Sequence, residues 1–547
     1  MSSWYGRPAP PATIHGTVAR VARRCPGRTA LISGRHHISY ARLMDRSGRV
    51  AHHLRNRGVR PGDVVPVTAR RSADLAVVLL GVLRAGAAYA VLDVRWPAGR
   101  LHGLVTAMRA PVVLADGPGS AALDEAGCDH LAFADLEHTG GPAGSLPDVT
   151  PDACATVFWT SGSTGRAKAV LSPHRATTRL FTPEPFIRFG PAPVMVNAAA
   201  VAWDAFTLEL WGMLLLGGTA LVHEDDLLTP PALRGYIKDH GATHLFLTPA
   251  LFDVLAGGDL DCLAGLRALL LGGDRPPPEN CRRLLDTHPD IELYNGYGPV
   301  ESCVFATTRR ITIEDTGGPG GVPAGEPVPG TEIHIVRDGV TVAPGETGEV
   351  AIGGTGVALG YLDDAAATEA AFTGIVAGAR TVPVYLTGDR GHLDPSGALH
   401  FAGRADAQLK IAGHRIEPAE VEAAARAAGA GRCVVSAIPD RSGTPRIILF
   451  AERSTDAPNN AEQTARTVND AEQTARTVND AEQTARTVND AAQIAGAVND
   501  AEFRARLAAV LPAYMMPSHI HFVDTIPLLD NTKVDRRALA ARFGYPH

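Results

Sequence analysis

The sequence predicts an α/β protein: a large N-terminal domain of parallel sheets flanked by helices plus a small β subregion, then a small C-terminal α+β domain. Three observations carry this. Before Gly403, short apolar runs such as Leu75–Leu83, Leu245–Leu247 and Leu266–Leu271 alternate with helical stretches of mixed polarity, as buried strands alternate with covering helices. From Ile333 to Ile352 the pattern turns to short strands around Asp338-Gly339, Pro344-Gly345 and Thr347-Gly348. Near Gly403 the chain becomes charged, and an Ala- and Glu-rich helix, Pro418–Ala428, and an apolar strand, Ile447–Ala451, follow. A chain of 547 residues also exceeds one simple core, so domains are expected at 1–402 and 403–547.

The second domain contains a repeat. Ala461–Asp470 reads AEQTARTVND, recurs from Ala471 and Ala481, and decays over Ala491–Asp500. A decapeptide is too short for a solenoid unit. Its Ala and Val recur about every 3.3 residues, so an apolar stripe drifts quickly around a helix. The expectation is a solvent-exposed, partly helical or disordered insertion at 461–500 that buries little.

Composition excludes several classes. Hydrophobic residues at 45% and charged residues at 20% suit a globular core, and a net charge of -7 gives no reason to expect nucleic acid. No apolar run is long enough to span a bilayer, and Met1–Gly16 lacks the pattern of a signal peptide. The seven cysteines form no CxxC pair, which disfavours a disulfide framework or a thiolate zinc site. A cytoplasmic protein is expected.

The sharpest local feature is Phe158-Trp159-Thr160-Ser161-Gly162-Ser163-Thr164-Gly165-Arg166-Ala167-Lys168, after a strand-like stretch. The glycines let backbone N–H groups approach an anion, the hydroxyls add donors, and Lys168 adds a point charge, which is what a polyphosphate needs. It is not a Walker loop, because no Gly-Lys-Ser/Thr stands at the required spacing. A flexible Ser/Gly loop is the competing reading, and Lys168 weighs against it. His240 and His244 share the spacing of zinc ligands on a helix, but Gly241 weakens a helix there and no Glu follows His240. His174 either borders the active site or caps a helix, and His223-Glu224-Asp225-Asp226 reads as a solvated turn.

Further motifs stand in order: Ile38–Leu43, Leu83–Tyr89, the Ser/Gly loop, Trp203-Asp204-Ala205-Phe206, Asn295–Glu301, and Gly348-Glu349-Val350 leading to Gly360-Tyr361-Leu362. Tyr385–Asp389, Gly403–Lys410, Leu511–Met515 and Asn531–Arg536 complete the series. Together they cover nearly the whole chain, which resembles the adenylate-forming superfamily (acyl- and aryl-CoA ligases, luciferase), and within it a free-standing adenylation domain of a nonribosomal peptide synthetase.

The resemblance implies roles. Thr160, Ser161, Gly162, Ser163, Thr164, Gly165 and Lys168 would hold the phosphates of ATP, and Gly273, Asn295, Tyr297, Gly298, Asp389, Arg404 and Lys410 the nucleoside. Tyr297 would stack on adenine, Asn295 read its edge, and Asp389 accept from both ribose hydroxyls. Glu301 would hold Mg2+, a hard cation that prefers oxygen donors and substrate phosphates. Lys533, by itself a solvated surface charge, would bridge the substrate carboxylate and the α-phosphate. Asp406 would be the hinge of a small mobile domain that rotates between adenylation and thioester formation. Departures from the pattern are Val300 where the family has Thr, Trp203 for Phe, no Pro before Lys168, and Leu386 for Arg.

Asp204 decides the acid. A carboxylate among Trp203, Ala205, Phe206 and Leu208 needs a cationic partner if buried, the competing reading being a helix N-cap. In the family the Asp at this place pairs with a substrate α-ammonium, which argues against an acyl- or aryl-CoA ligase. Ala205, Leu208, Phe246, Leu270, Gly272, Gly296, Val304 and Phe305 complete a wholly apolar pocket, so a branched aliphatic amino acid (Val, Leu or Ile) is expected. No carrier-protein motif occurs in the chain, so the resemblance implies a separate phosphopantetheinylated carrier protein as acceptor; an MbtH-like activator protein is a further partner it allows. A non-catalytic binding relative is the remaining rival, and Lys168, Glu301, Asp389 and Lys533 weigh against it.

Overall fold

A computed structural model describes residues 12–137, 145–162, 165–181, 183–318, 320–405, 408–411, 414–440, 445–453, 500–527 and 534–545. The chain divides into two compact units, Met1–Ser161 with Ala167–Arg415, and Gly162–Arg166 with Ile416–His547. Lys533, Asp406 and the repeat before Asp500 lie outside the described residues.

The larger unit is α/β, as expected. One sheet runs in the order Glu326–Pro327, Thr307–Arg310, Glu292–Tyr297, Ala268–Gly272, His244–Leu247, Val194–Asn197, Thr219–Val222, Thr29–Ser33, His36–Ser39. Its inner strands are parallel, and antiparallel strands close both edges. A second sheet, also parallel at its centre, ends in the antiparallel pair Cys154–Thr160 and Lys168–Pro173. The β subregion spans Thr331–Arg404, where an extra pairing of Gly348–Gly354 with Arg380–Leu393 links strands across the sheet. Asp338 and Gly339 turn there with φ of 52° and 77°, the geometry that an Asp-Gly hairpin favours.

One expected strand is a helix. Leu75–Leu83 belongs to the helix Ala73–Arg84, started by Ser72, whose hydroxyl accepts from the Leu75 N–H at 3.0 Å. Leu75 to Leu83 are all buried, so no polar stripe marks the helical period, and an apolar run covered on all sides reads alike in either state. Gly81 permits this packing: a Cβ there would stand 2.4 Å from Val50 Cγ1.

The smaller unit holds a sheet of Ala430–Pro439, Pro445–Arg453 and His519–Val523. Its helices include Pro418–Ala427, Asp500–Ala508 and Arg536–Arg542, and Val434, Ile448, Phe450 and Leu539 pack one of its apolar clusters. All seven cysteines are free thiols. Among the described residues no helix is long and apolar enough to cross a membrane.

Glu209 is fully buried in the helix Asp204–Leu216. One carboxylate oxygen accepts from the Ala199 N–H at 2.8 Å and from Asn197 Nδ2 at 3.2 Å; the other has no partner among the described residues. Burial pushes its carboxyl up to about 8. A raised carboxyl stabilises the fold below its unfolded value near 4.5 and loses that contribution as pH climbs through 8. Relative to Glu209→Gln, the parent is therefore expected to lose on the order of 2–3 kcal/mol between pH 6 and pH 8, read by chemical denaturation at each pH.

Candidate active site

The neighbouring strands His244–Leu247, Ala268–Gly272 and Glu292–Tyr297 are parallel, so their carboxyl ends open on the same side. Their register sets Phe246 beside Leu270 and Gly272 beside Gly296. Ligands of open α/β sheets bind at such strand ends. Here a cleft of about 1030 Å³, open solvent included, is lined by Asp204, Gly273, Asn295, Gly296, Tyr297, Gly298, Asp389 and Arg404. Thus the expected nucleoside residues other than Lys410 share one cleft with the residue expected to read the amino acid. The backbone of Lys410 lies in the strand Leu409–Ile411, and its side chain is outside the described residues.

Asp389 and Arg404 are direct cross-strand partners in the β subregion, and the guanidinium donates to one carboxylate oxygen. The Tyr297 hydroxyl donates to the other at 2.7 Å. Burial, then the Asp389 charge, hold the Tyr297 hydroxyl well above its usual range, so it stays a donor. Asn295 donates to the Pro323 carbonyl at 2.7 Å, which fixes its amide at the cleft wall.

Asp204 is the first residue of its helix, and Trp203 stands at the N-cap position without a side-chain cap bond. One Asp204 oxygen accepts from the Val304 N–H at 2.9 Å. Burial pushes its carboxyl up to about 6, against the pull of the Val304 and Ala205 N–H groups. A half-buried carboxylate with backbone donors on one side still presents lone pairs to a cation.

Ala205, Leu208, Phe246, Leu270, Val304 and Phe305 are all buried in one apolar cluster. The space left by the two glycines goes to Phe305: a Cβ on Gly296 would stand 2.2 Å from its ring, and one on Gly272 2.8 Å. Phe246 and Phe186 pack on the same ring with centroids 6.2 and 5.6 Å away.

In the Ser/Gly loop, Thr160 and Lys168 end paired antiparallel strands directly opposite each other. Lys168 Nζ lies 5.0 Å from the centre of the Tyr361 ring, and Ser161 Oγ donates to the Arg415 carbonyl at 2.9 Å. The Gly162 carbonyl accepts from Gly165, whose φ of 83° suits glycine. Ser163 and Thr164 lie outside the described residues.

Glu301 is buried, with its oxygens bonded to the Tyr361 hydroxyl at 2.9 Å and to Arg415 at 3.0 Å. Among the described residues no group of three or more His, Cys, Asp or Glu gathers as a metal cage. A single carboxylate fits magnesium that takes its remaining ligands from substrate phosphates and water. Arg415 was not singled out by sequence: it lies 114 positions from Glu301, and no local pattern announces the pair. Tyr361 stood in a motif without a role. Gln408, which stood in a motif without a role, and Phe401, which sequence did not single out, also line the cleft.

The histidines resolve structurally. His240 ends one helix, Gly241 follows with a φ of 65°, and His244 begins a strand, so the two do not share a helix face. His174 is buried and accepts from the Ile14 N–H through Nδ1 at 3.3 Å.

Residues 18–362 match the family described as AMP-binding enzyme. The chain belongs to that family. It is 32% identical over 542 residues to a linear gramicidin synthase of Brevibacillus parabrevis, covering 96% of this chain and only 6% of that protein. Among solved structures it is similar to holo-PA1221, a nonribosomal peptide synthetase protein containing adenylation and PCP domains, with a TM-score of 0.80 and 28% identity over 99% of this chain and 85% of that one. It shares the fold of o-succinylbenzoate CoA synthetase of Bacillus subtilis, with a TM-score of 0.77 at 21% identity, covering 96% of this chain and 97% of that one. The adenylation-domain resemblance read from the motifs is thereby established.

Proposed function

We propose that this member of the AMP-binding family activates an α-amino acid with Mg-ATP, giving aminoacyl-AMP and pyrophosphate, and passes the acyl group to the phosphopantetheine thiol of a carrier protein with release of AMP. The observation that carries this is the placing of Asp204 in one cleft with Asn295, Tyr297, Asp389 and Arg404. Tyr297 and Asn295 flank the adenine, and Asp389, oriented by Arg404 and Tyr297, accepts from the ribose hydroxyls. Asp204 receives the α-ammonium. A substrate carboxylate oxygen then attacks the α-phosphorus, the bond to the β-phosphate oxygen breaks, and pyrophosphate leaves. Lys533 offsets the charge built up there, and Lys168 with the Ser/Gly loop neutralises the leaving phosphates. Glu301 would hold magnesium, which would supply further charge neutralisation when bound.

The side-chain pocket is apolar, which supports a branched aliphatic substrate. The Phe305 ring beside Gly272 and Gly296 shortens it and favours the valine-sized end of that class. One methylene is worth about 1–3 kcal/mol in such a pocket, so longer analogues are expected to lose about 10- to 200-fold in kcat/KM. Pyrophosphate exchange across a panel of amino, aryl and fatty acids tests the reading. The best response is expected from a branched aliphatic amino acid; a response confined to aryl or fatty acids would contradict it. The adenylation and PCP domains joined in PA1221 support a carrier protein as acceptor.

A further inference from the structure

We infer that Arg179 is a positioning residue of the amino-acid site: its guanidinium braces the left-handed turn that aims the Val304 N–H at Asp204. The inference rests on the α-amino acid reading above. Cys303 and Val304 have φ of 55° and 67°, and a β-branched residue occupies that region at a steric cost. Something must hold the turn. Arg179 Nη2 donates to the carbonyls on either side of it, Ser302 at 2.7 Å and Phe305 at 2.8 Å. With the ends so fixed, the Val304 N–H meets Asp204 Oδ2 at 2.9 Å, and Phe305 is set as the wall beside Gly272 and Gly296.

Arg179 is a poor choice for stability alone. It is 6% exposed, and its Nε and Nη1 have no hydrogen-bond partner among the described residues. Burial drags its guanidinium down to about 10. Desolvating a guanidinium without a matching carboxylate is costly, and an apolar side chain of similar length would avoid that cost. What the apolar side chain cannot do is hold two carbonyls in place. The charge is retained at a stability cost, and the structure assigns its benefit to the turn.

The test compares Arg179→Met and Arg179→Lys with the parent in the full chain, by amino-acid-dependent pyrophosphate exchange and thermal melting. Arg179→Met is expected to raise the amino-acid KM by about tenfold or more, the loss of one aligned hydrogen bond to a charged group. The ATP KM stays within about twofold, whatever melting temperature is lost through the two carbonyls left without their donor. Arg179→Lys, which keeps a cationic donor, recovers part of the loss. A variant with lowered melting temperature and both KM values raised alike would show a merely structural residue and overturn the proposal. So would an Arg179→Met enzyme that matches a parent active on amino acids. A parent that activates only acids lacking the α-amino group overturns the underlying reading instead, and the proposal with it.

Discussion

Lys533→Ala is expected to lower aminoacyl-AMP formation by at least about 10²-fold while leaving thioester formation from supplied aminoacyl-AMP near the parent rate. The argument is electrostatic. Carboxylate and phosphate repel each other, and attack builds charge on phosphorus; a preorganised cation between them lowers that barrier, and its removal costs about 10²- to 10³-fold. Thiol attack on the finished adenylate carries no such pair of anions, so the same lysine has no task there. Single-turnover assays of each half-reaction check this. Equal damage to both steps would contradict the division of labour, and damage to neither would return Lys533 to an ordinary surface charge.

Asp204→Asn is expected to cost about 10²- to 10³-fold in amino-acid kcat/KM, because a desolvated ammonium that loses its carboxylate loses roughly 3–5 kcal/mol. The protein is not expected to become less stable. Its carboxyl is raised to about 6, so the ionised form opposes folding above that pH, and the stabilising protonated form is lost as pH rises from 3.8 through 6. Activity runs the other way. Amino-acid kcat/KM in the parent should fall as pH drops below about 6, when Asp204 takes up its proton. Exchange rates and melting temperatures across pH 5–8 for parent and variant measure both effects.

Much of the fold was legible because turn chemistry and apolar runs are local. The Asp338-Gly339 turn and the apolar runs at Leu245–Leu247 and Ile447–Ala451 appear as read. The run Leu75–Leu83 was misread because complete burial erases the periodicity that separates helix from strand. The residues that share the cleft were legible through motifs that each carry a chemical group, as with Asp389 opposite Arg404. What remained hidden was non-local. Arg415 on Glu301 and Arg179 on the Ser302–Phe305 turn are pairings across more than a hundred residues, and neither arginine differs in sequence from a surface charge. Nor does any local pattern announce that the Phe305 ring fills the space beside the glycines at 272 and 296.

The central claim is that this site selects an α-amino group, and one competition measures it most directly. Valine and its deaminated analogue, 3-methylbutanoate, are offered together at equal concentration with Mg-ATP, and the acyl-AMP products are quantified by mass spectrometry. Valyl-AMP in excess by about 10²-fold, collapsing toward parity in Asp204→Asn, is the predicted result. Comparable amounts of the two adenylates from the parent enzyme would contradict it.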